Sequence, residues 1–329
     1  RQGNIWHKLQ EFTGKTEEII KYINEEYAEL PVNRSYEDWM IERTIILSAF
    51  AGYSWYYQQQ PLKVDILVPE YEFEIPLYNV SIDKMLLHGK IDQIVRDQDG
   101  KLYVREFKTT SKSLDDDTYW SHLTLDVQTS LYLMAAQYLQ SRGLLTQFGI
   151  TPDEPLISRV LYNVWHKPSI APTWLTQKDS KTLVETGEYC GQKFIVETTY
   201  VEGPGTRLVA CAANNEIVQT KPGSKEGTFA IYETPEMFGA RLLQDITTRP
   251  TFYYQEREIA KTEQDMLKFA SELFNVYRDI QFKKENDCWY GCEKQCNARF
   301  RCEYSQICAN NMKIDENNIP MGFEKSEEK

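Results

Sequence analysis

Residues 89–110 read GKIDQIVRDQDGKLYVREFKTT, and this stretch decides the fold. Two runs rich in Ile, Val, Leu, Tyr and Phe flank Asp97-Gln98-Asp99-Gly100, the pattern of strand, turn and strand. A three-residue loop, Gln98-Asp99-Gly100, puts Gly100 in the left-handed position that glycine adopts without a steric penalty. Asp97 then faces Lys101, and the register places Asp92 opposite Glu106. Because side chains alternate along a strand, Glu106 and Lys108 share a face, and with Asp92 they converge beside Ile94 and Val104. Two carboxylates across a ladder repel each other. A hard divalent cation offsets that repulsion, since carboxylate oxygens suit magnesium or manganese. Lys108 is placed to meet a phosphate, orient a water or stabilise developing negative charge. The bland reading is a solvated face carrying two ordinary surface acids, and a slip of one residue in the loop would put Asp92 and Glu106 on opposite faces.

Outward from the hairpin, residues 4–12, within GNIWHKLQEF, form a short amphipathic pattern. Ile5, Trp6, Leu9 and Phe12 are its apolar positions, and His7 and Glu11 share another face. A lone His is more often a packed or surface residue than a ligand. Residues 16–29 and 35–59 are expected to be helical, the second ending in the aromatic cluster Tyr53, Trp55, Tyr56 and Tyr57. Packing against the sheet is the expected role of that cluster, ahead of base stacking. Residues 62–80 alternate like a strand, with Glu72 and Glu74 near the hairpin in sequence. A polar loop with Asp115, Asp116 and Asp117 precedes a helix expected over 118–139. In it DVQTSLYLMAAQYL sets Gln128 and Tyr132 on one face. Residues 156–167 read as a buried strand with His166 and Lys167 at a basic tip able to meet phosphate.

GKID followed 14 residues later by EFK resembles the core of the PD-(D/E)XK nucleases, RecB-type branch. The resemblance identifies Asp92, Glu106 and Lys108 with the Asp and Glu-x-Lys of that pattern. It also matches His7 to an early-helix His, and Gln128 and Tyr132 to a Gln and Tyr one turn apart on a later helix. It is close over roughly residues 3–167 and looser beyond. It implies an α/β fold of the restriction-endonuclease type, a central mixed sheet flanked by helices. It further implies a magnesium- or manganese-dependent nuclease acting on single-stranded DNA or duplex ends, in phage or bacterial recombination, repair or processing. Asp92 and Glu106 would hold the metal with His7 assisting, Lys108 would be catalytic, and Gln128 and Tyr132 would position the substrate strand. A helicase or recombination protein is the partner such an enzyme would have, in the cytoplasm. The competing readings are a nucleic-acid-binding or assembly module with a vestigial nuclease core, and an RNA-directed nuclease.

Composition sets bounds on these readings. The 329 residues carry 37 Lys and Arg against 49 Asp and Glu, a net charge of -12, which argues against a broad non-specific DNA binder. No apolar run is long enough to span a membrane, and no signal peptide is visible. The chain begins at Arg1 rather than Met, which leaves room for residues upstream.

Residues 168–250 depart from a minimal nuclease. They hold short strands and the turns GPG at 203–205 and PGS at 222–224, and are expected to form an inserted β-rich subdomain between a core of 1–167 and a closing part of 251–329. Cys190 and Cys211 are expected there as buried small residues. A strand at 252–259 and a helix at 262–282, capped by Thr262, follow. Cys288, Cys292, Cys296, Cys302 and Cys308 then lie at gaps of three, three, five and five residues. Four thiolates suffice for zinc or an iron–sulfur cluster. The CEYSQIC spacing resembles the tail of iron–sulfur nucleases of this superfamily, AddB-type subunits and CRISPR-associated RecB-type nucleases among them, which implies a [4Fe-4S] cluster. In those proteins one cysteine precedes the nuclease core, whereas this chain has none before Cys190, so zinc remains an alternative, as do free thiols or disulfides.

Overall fold

A computed structural model describes the chain apart from residues 13–14, 61–63, 78–84, 202–206, 226, 297, 299–301, 316 and 326–329, and apart from the side chains of 200, 201 and 207–211. The expected turn at 203–205, the side chain of Cys211 and the charged end at 326–329 lie outside the described residues. Two compact units are distinguished, Arg1–Ser271 and Glu272–Lys329.

The first unit opens with α1 (Gln2–Glu11), α2 (Thr16–Glu26) and α3 (Tyr36–Gln59), followed by β1 (Val64–Pro76), β2 (Leu86–Asp97) and β3 (Leu102–Thr110). Next come α4 (Asp117–Leu123), α5 (Val127–Ser141) and β4 (Arg159–His166). The stretch after β4 holds α6 (Gln177–Thr186), β5 (Glu188–Tyr189), β6 (Gln192–Lys193), β7 (Val196–Val201), β8 (Arg207–Ala213), β9 (Glu216–Val218), β10 (Thr220–Pro222) and β11 (Phe229–Ile231). Then follow α7 (Pro235–Thr248), α8 (Pro250–Tyr253), β12 (Tyr254–Ala260) and α9 (Glu263–Asn286). The central sheet has the order β1-β2-β3-β4-β12, with β3 and β4 parallel and the other neighbours antiparallel. A parallel pair needs a crossover, and α4 and α5 supply it.

The hairpin forms with the register its turn residues dictate. The Asp97 amide donates to the Lys101 carbonyl at 3.0 Å, the Gly100 amide to the Asp97 carbonyl at 3.1 Å, and Gly100 has φ 83°. Asp97 Oδ1 also accepts the Asp99 and Lys101 amides, which fixes the loop from within. Ile94 consequently faces Val104, and Gln93 faces Arg105.

Alternation along β4 sends Tyr162 and Trp165 to opposite faces of the sheet. On one face Trp165 stacks on Trp6 of α1 at 4.4 Å, inside a core that includes Ile23, Trp39, Ile46, Tyr53 and Tyr254. Tyr53 meets Trp6 edge to face, and Tyr56 stacks on Tyr254, so the aromatic end of α3 is packing material, as its sequence suggests. On the other face Tyr162 bonds Thr129 of α5 at 2.7 Å.

Two expectations are corrected. The single helix expected over 118–139 is two helices, because Asp126 leaves helical geometry at ψ 116° and caps α5 through the Gln128 amide. The stretch 168–250 holds short two- and three-stranded sheets around Leu175, Leu183 and Ile231. Its α7 lays Phe238, Leu242 and Ile246 into the core that contains Trp6 and Trp165. His166 is buried against Phe252 rather than presented to a phosphate, and burial lowers its pKa, so it is a neutral packing group. Farther on, Thr262 and Asp265 exchange the reciprocal bonds of a capping box at the start of α9. Among the described residues no helix is long and apolar enough to cross a membrane.

Candidate active site

The β2–β3 ladder stops at Gln93–Arg105, one pair short of Asp92 and Glu106. Asp92 Oδ2 instead accepts the Phe107 amide at 3.0 Å, so the carboxylate is anchored by a backbone donor that a longer ladder would have engaged otherwise. His7 reaches the same oxygen from α1, with Nδ1 at 3.3 Å. Its ring lies edge-on to Phe107 at 6.4 Å. His7, Asp92 and Glu106 thus come from three elements that only the folded chain joins: α1, β2 and β3.

Glu106 is fully buried, and neither of its oxygens accepts a hydrogen bond. Lys108 Nζ lies 2.9 Å from Glu106 Oε1, a contact of charges rather than an aligned hydrogen bond. Burial, and then the Asp92 charge, push the Glu106 carboxyl up to about 7, against the opposing pull of Lys108 and His7. Lys108 shows the reverse balance: burial lowers its pKa, but Glu106 and Asp126 outweigh it, so the ammonium is held above its usual range. Its Nζ donates to Gln128 Oε1 at 2.6 Å, and Gln128 Nε2 donates to the Tyr132 hydroxyl at 2.8 Å. Gln128 and Tyr132 stand one helical turn apart on α5, which brings both to the edge of this site. Tyr132 is buried and meets Phe73 of β1 edge to face.

A family model of the PD-(D/E)XK nuclease superfamily matches residues 1–309 of the chain. The chain belongs to the PD-(D/E)XK nuclease superfamily. No curated protein matches it. Membership of this superfamily implies phosphodiester hydrolysis, and its members usually use divalent cations such as magnesium or manganese.

The donor set fits a hard cation. A buried carboxylate without hydrogen-bond donors is costly unless a positive charge meets it. The Lys108 ammonium meets Glu106 on one side, and the second carboxylate beside it, Asp92 with His7 on it, adds negative charge that a bound cation would offset. Among the described residues no three His, Cys, Asp or Glu side chains are drawn together as closely as a finished metal cage.

The tail cysteines behave differently. Cys288, Cys292 and Cys308 are exposed, Cys296 and Cys302 half-buried, and all five thiols are free. Backbone bonds bring parts of the tail together, the Cys302 amide donating to the Cys296 carbonyl at 3.0 Å, but the five sulfurs do not form one ligand set among the described residues.

Sequence reading missed Asp126. It lies 3.5 Å from Lys108 Nζ through Oδ2, and it accepts from Tyr162 at 3.4 Å. The available signal was an Asp two residues before Gln128, a helix-cap pattern hidden inside what reads as one continuous helix.

Proposed function

We propose that the protein is a divalent-metal-dependent nuclease that hydrolyses DNA phosphodiester bonds, at ends or on single strands. The observation that carries this reading is Glu106: a fully buried carboxylate beside Asp92, met on one side by a charged Lys108. His7, Asp92 and Glu106 would hold the cation, which when bound supplies Lewis-acid chemistry at the scissile phosphate. Lys108 orients the attacking water and stabilises negative charge that develops on the phosphate. Its raised pKa keeps it an ammonium at neutral pH, so it acts as a cation and not as the base. Gln128 fixes Lys108 and Tyr132 together and holds the strand beside them. The test is incubation with end-labelled single- and double-stranded DNA, and with RNA, with and without magnesium or manganese. Metal-dependent loss of DNA label is expected. Cleavage of RNA alone would reassign the substrate, and no cleavage of either would overturn the reading.

Cation affinity should rise with pH through the neutral range. Glu106 titrates at about 7, and His7 is raised from 6.5 because Asp92 and Glu106 outweigh the lowering by burial. Both must lose their protons to bind a metal, so the deprotonated state that prevails at higher pH is the binding state. Calorimetric titration of manganese at pH 6 and pH 8 measures this, and equal affinities would contradict the assignment.

We also infer one structural metal centre in the second unit, iron–sulfur or zinc. Among the described residues of 272–329 none is buried, so that unit has little apolar core of its own. A metal held by four of the five thiols would supply the missing folding energy. Protein purified without air should contain iron and be brown, or contain zinc and be colourless. Protein with neither metal, and with all five tail thiols alkylated at once, would rule the centre out.

A further inference from the structure

We propose that Asp126 is the residue that holds Lys108 in its working position, an inference that rests on the nuclease reading of this site. Three oxygens surround Lys108 Nζ: Gln128 Oε1, which accepts its hydrogen bond at 2.6 Å, and two carboxylate oxygens, Glu106 Oε1 at 2.9 Å and Asp126 Oδ2 at 3.5 Å. A lysine head on four methylenes is mobile, so its direction is set by the acceptors around it. Two of these acceptors take part in the chemistry. Glu106 would carry metal, and the Glu106–Lys108 pair would then weaken as Glu106 gave its charge to the cation. Gln128 is neutral. Asp126 is then the one negative charge among the three that is not committed to the metal.

Asp126 is itself firmly fixed. Its Oδ1 accepts the Gln128 amide at 2.9 Å as the N-cap of α5, and its Oδ2 lies 3.4 Å from the Tyr162 hydroxyl, whose one proton it shares with the Leu123 carbonyl. Tyr162 is fully buried on β4 and also bonds Thr129 at 2.7 Å and the Leu123 carbonyl at 3.2 Å. The neighbouring Thr124 carbonyl is held by Lys261 at the end of β12. The two oxygens thus divide the work: one caps the start of α5, and the other faces Lys108 from a support anchored in the sheet. The break between α4 and α5, which a continuous helix would not contain, is what turns this carboxylate toward β3.

Asn caps a helix about as well as Asp. Asp126→Asn therefore keeps the cap and removes the charge, whereas Asp126→Ala removes both. The expected result is that Asp126→Asn retains the wild-type melting temperature and DNA affinity but loses kcat on the order of ten- to a hundredfold, the scale of a misplaced catalytic group. Asp126→Ala should lose the same activity and melt lower as well. A readout independent of cleavage is the labelling of Lys108 by acetic anhydride, followed by peptide mass spectrometry, which should be faster in Asp126→Asn than in wild type. Wild-type kcat in Asp126→Asn, or a loss of activity matched by a drop in melting temperature equal to that of Asp126→Ala, would overturn the proposal and leave Asp126 a helix cap. If wild-type protein cleaves neither DNA nor RNA, the nuclease reading fails by itself, and unchanged Lys108 labelling in Asp126→Asn would then sink the positioning role as well.

Discussion

Asp92→Ala and Glu106→Ala should each abolish metal-dependent cleavage while leaving the protein folded, and Glu106→Gln should make the metal-free protein more stable at neutral pH. The first effect follows from loss of a metal-holding carboxylate. The second follows from the energetics of a buried acid. Glu106 titrates at 4.5 in an unperturbed chain and at about 7 here, because of burial first and the Asp92 charge second. At about 1.4 kcal/mol per pKa unit, holding it ionised at neutral pH costs the metal-free fold on the order of 3 kcal/mol. The sign is that of an acid whose folded pKa is raised. Below 4.5 both states are protonated and nothing is lost; as pH rises from 4.5 toward 7 the unfolded chain ionises first, so stability falls across that window and then levels off. Glu106→Gln removes this component, and Asp92→Ala reduces it by removing the second cause. Melting of metal-free wild type and Glu106→Gln at pH 5 and pH 8 measures the difference, with the two proteins converging at the lower pH. Full cleavage activity in both alanine variants would sink the site assignment. A variant as pH-sensitive as wild type would show that Glu106 is not the buried acid responsible.

Lys108→Ala should lower kcat on the order of a hundred- to a thousandfold, the cost of losing a charge aimed at the developing negative charge of the transition state. DNA affinity should change far less, since Lys108 points inward at Glu106 and Gln128 and only part of it is exposed. The same change leaves Glu106 without its nearest cation, so the Glu106 carboxyl should titrate higher still and the metal-free protein should become less stable. Tyr132→Ala separates the roles: it removes the far end of the Lys108–Gln128–Tyr132 chain and should weaken substrate positioning more than chemistry. Single-turnover rates and binding isotherms on the same DNA distinguish these outcomes. A Lys108→Ala variant that changed only affinity would contradict the catalytic role.

What could be read from the sequence was local. The Asp97–Gly100 turn sets its own register through the Gly100 φ and the Asp97 carboxylate, so the hairpin and the shared face of Glu106 and Lys108 follow from a few neighbouring residues. The helix cap at Thr262 was legible for the same reason, both partners lying within one turn. The convergence of His7, Gln128 and Tyr132 on the hairpin was legible only through the order of motifs in a known family, because nothing in their own surroundings says which strand they will meet.

The tertiary structure decided what depends on distant partners. The ladder ends before Asp92 and Glu106 because Asp92 takes the Phe107 amide, and this turns a pair expected across a ladder into an open site that His7 can enter. Asp126 becomes a contact of Lys108 because Tyr162, on a strand parallel to β3, holds the start of α5 against the sheet. His166 is buried because Phe252 covers it, and α7 joins the main core because its Phe238, Leu242 and Ile246 find Trp6 and Trp165 there. The sequence alone determined which ionisable groups are present and how the Asp97–Gly100 turn closes. Burial, which raises Glu106 to about 7 and so poises it to bind a cation near neutral pH, exists only once strands far apart in the chain are packed together.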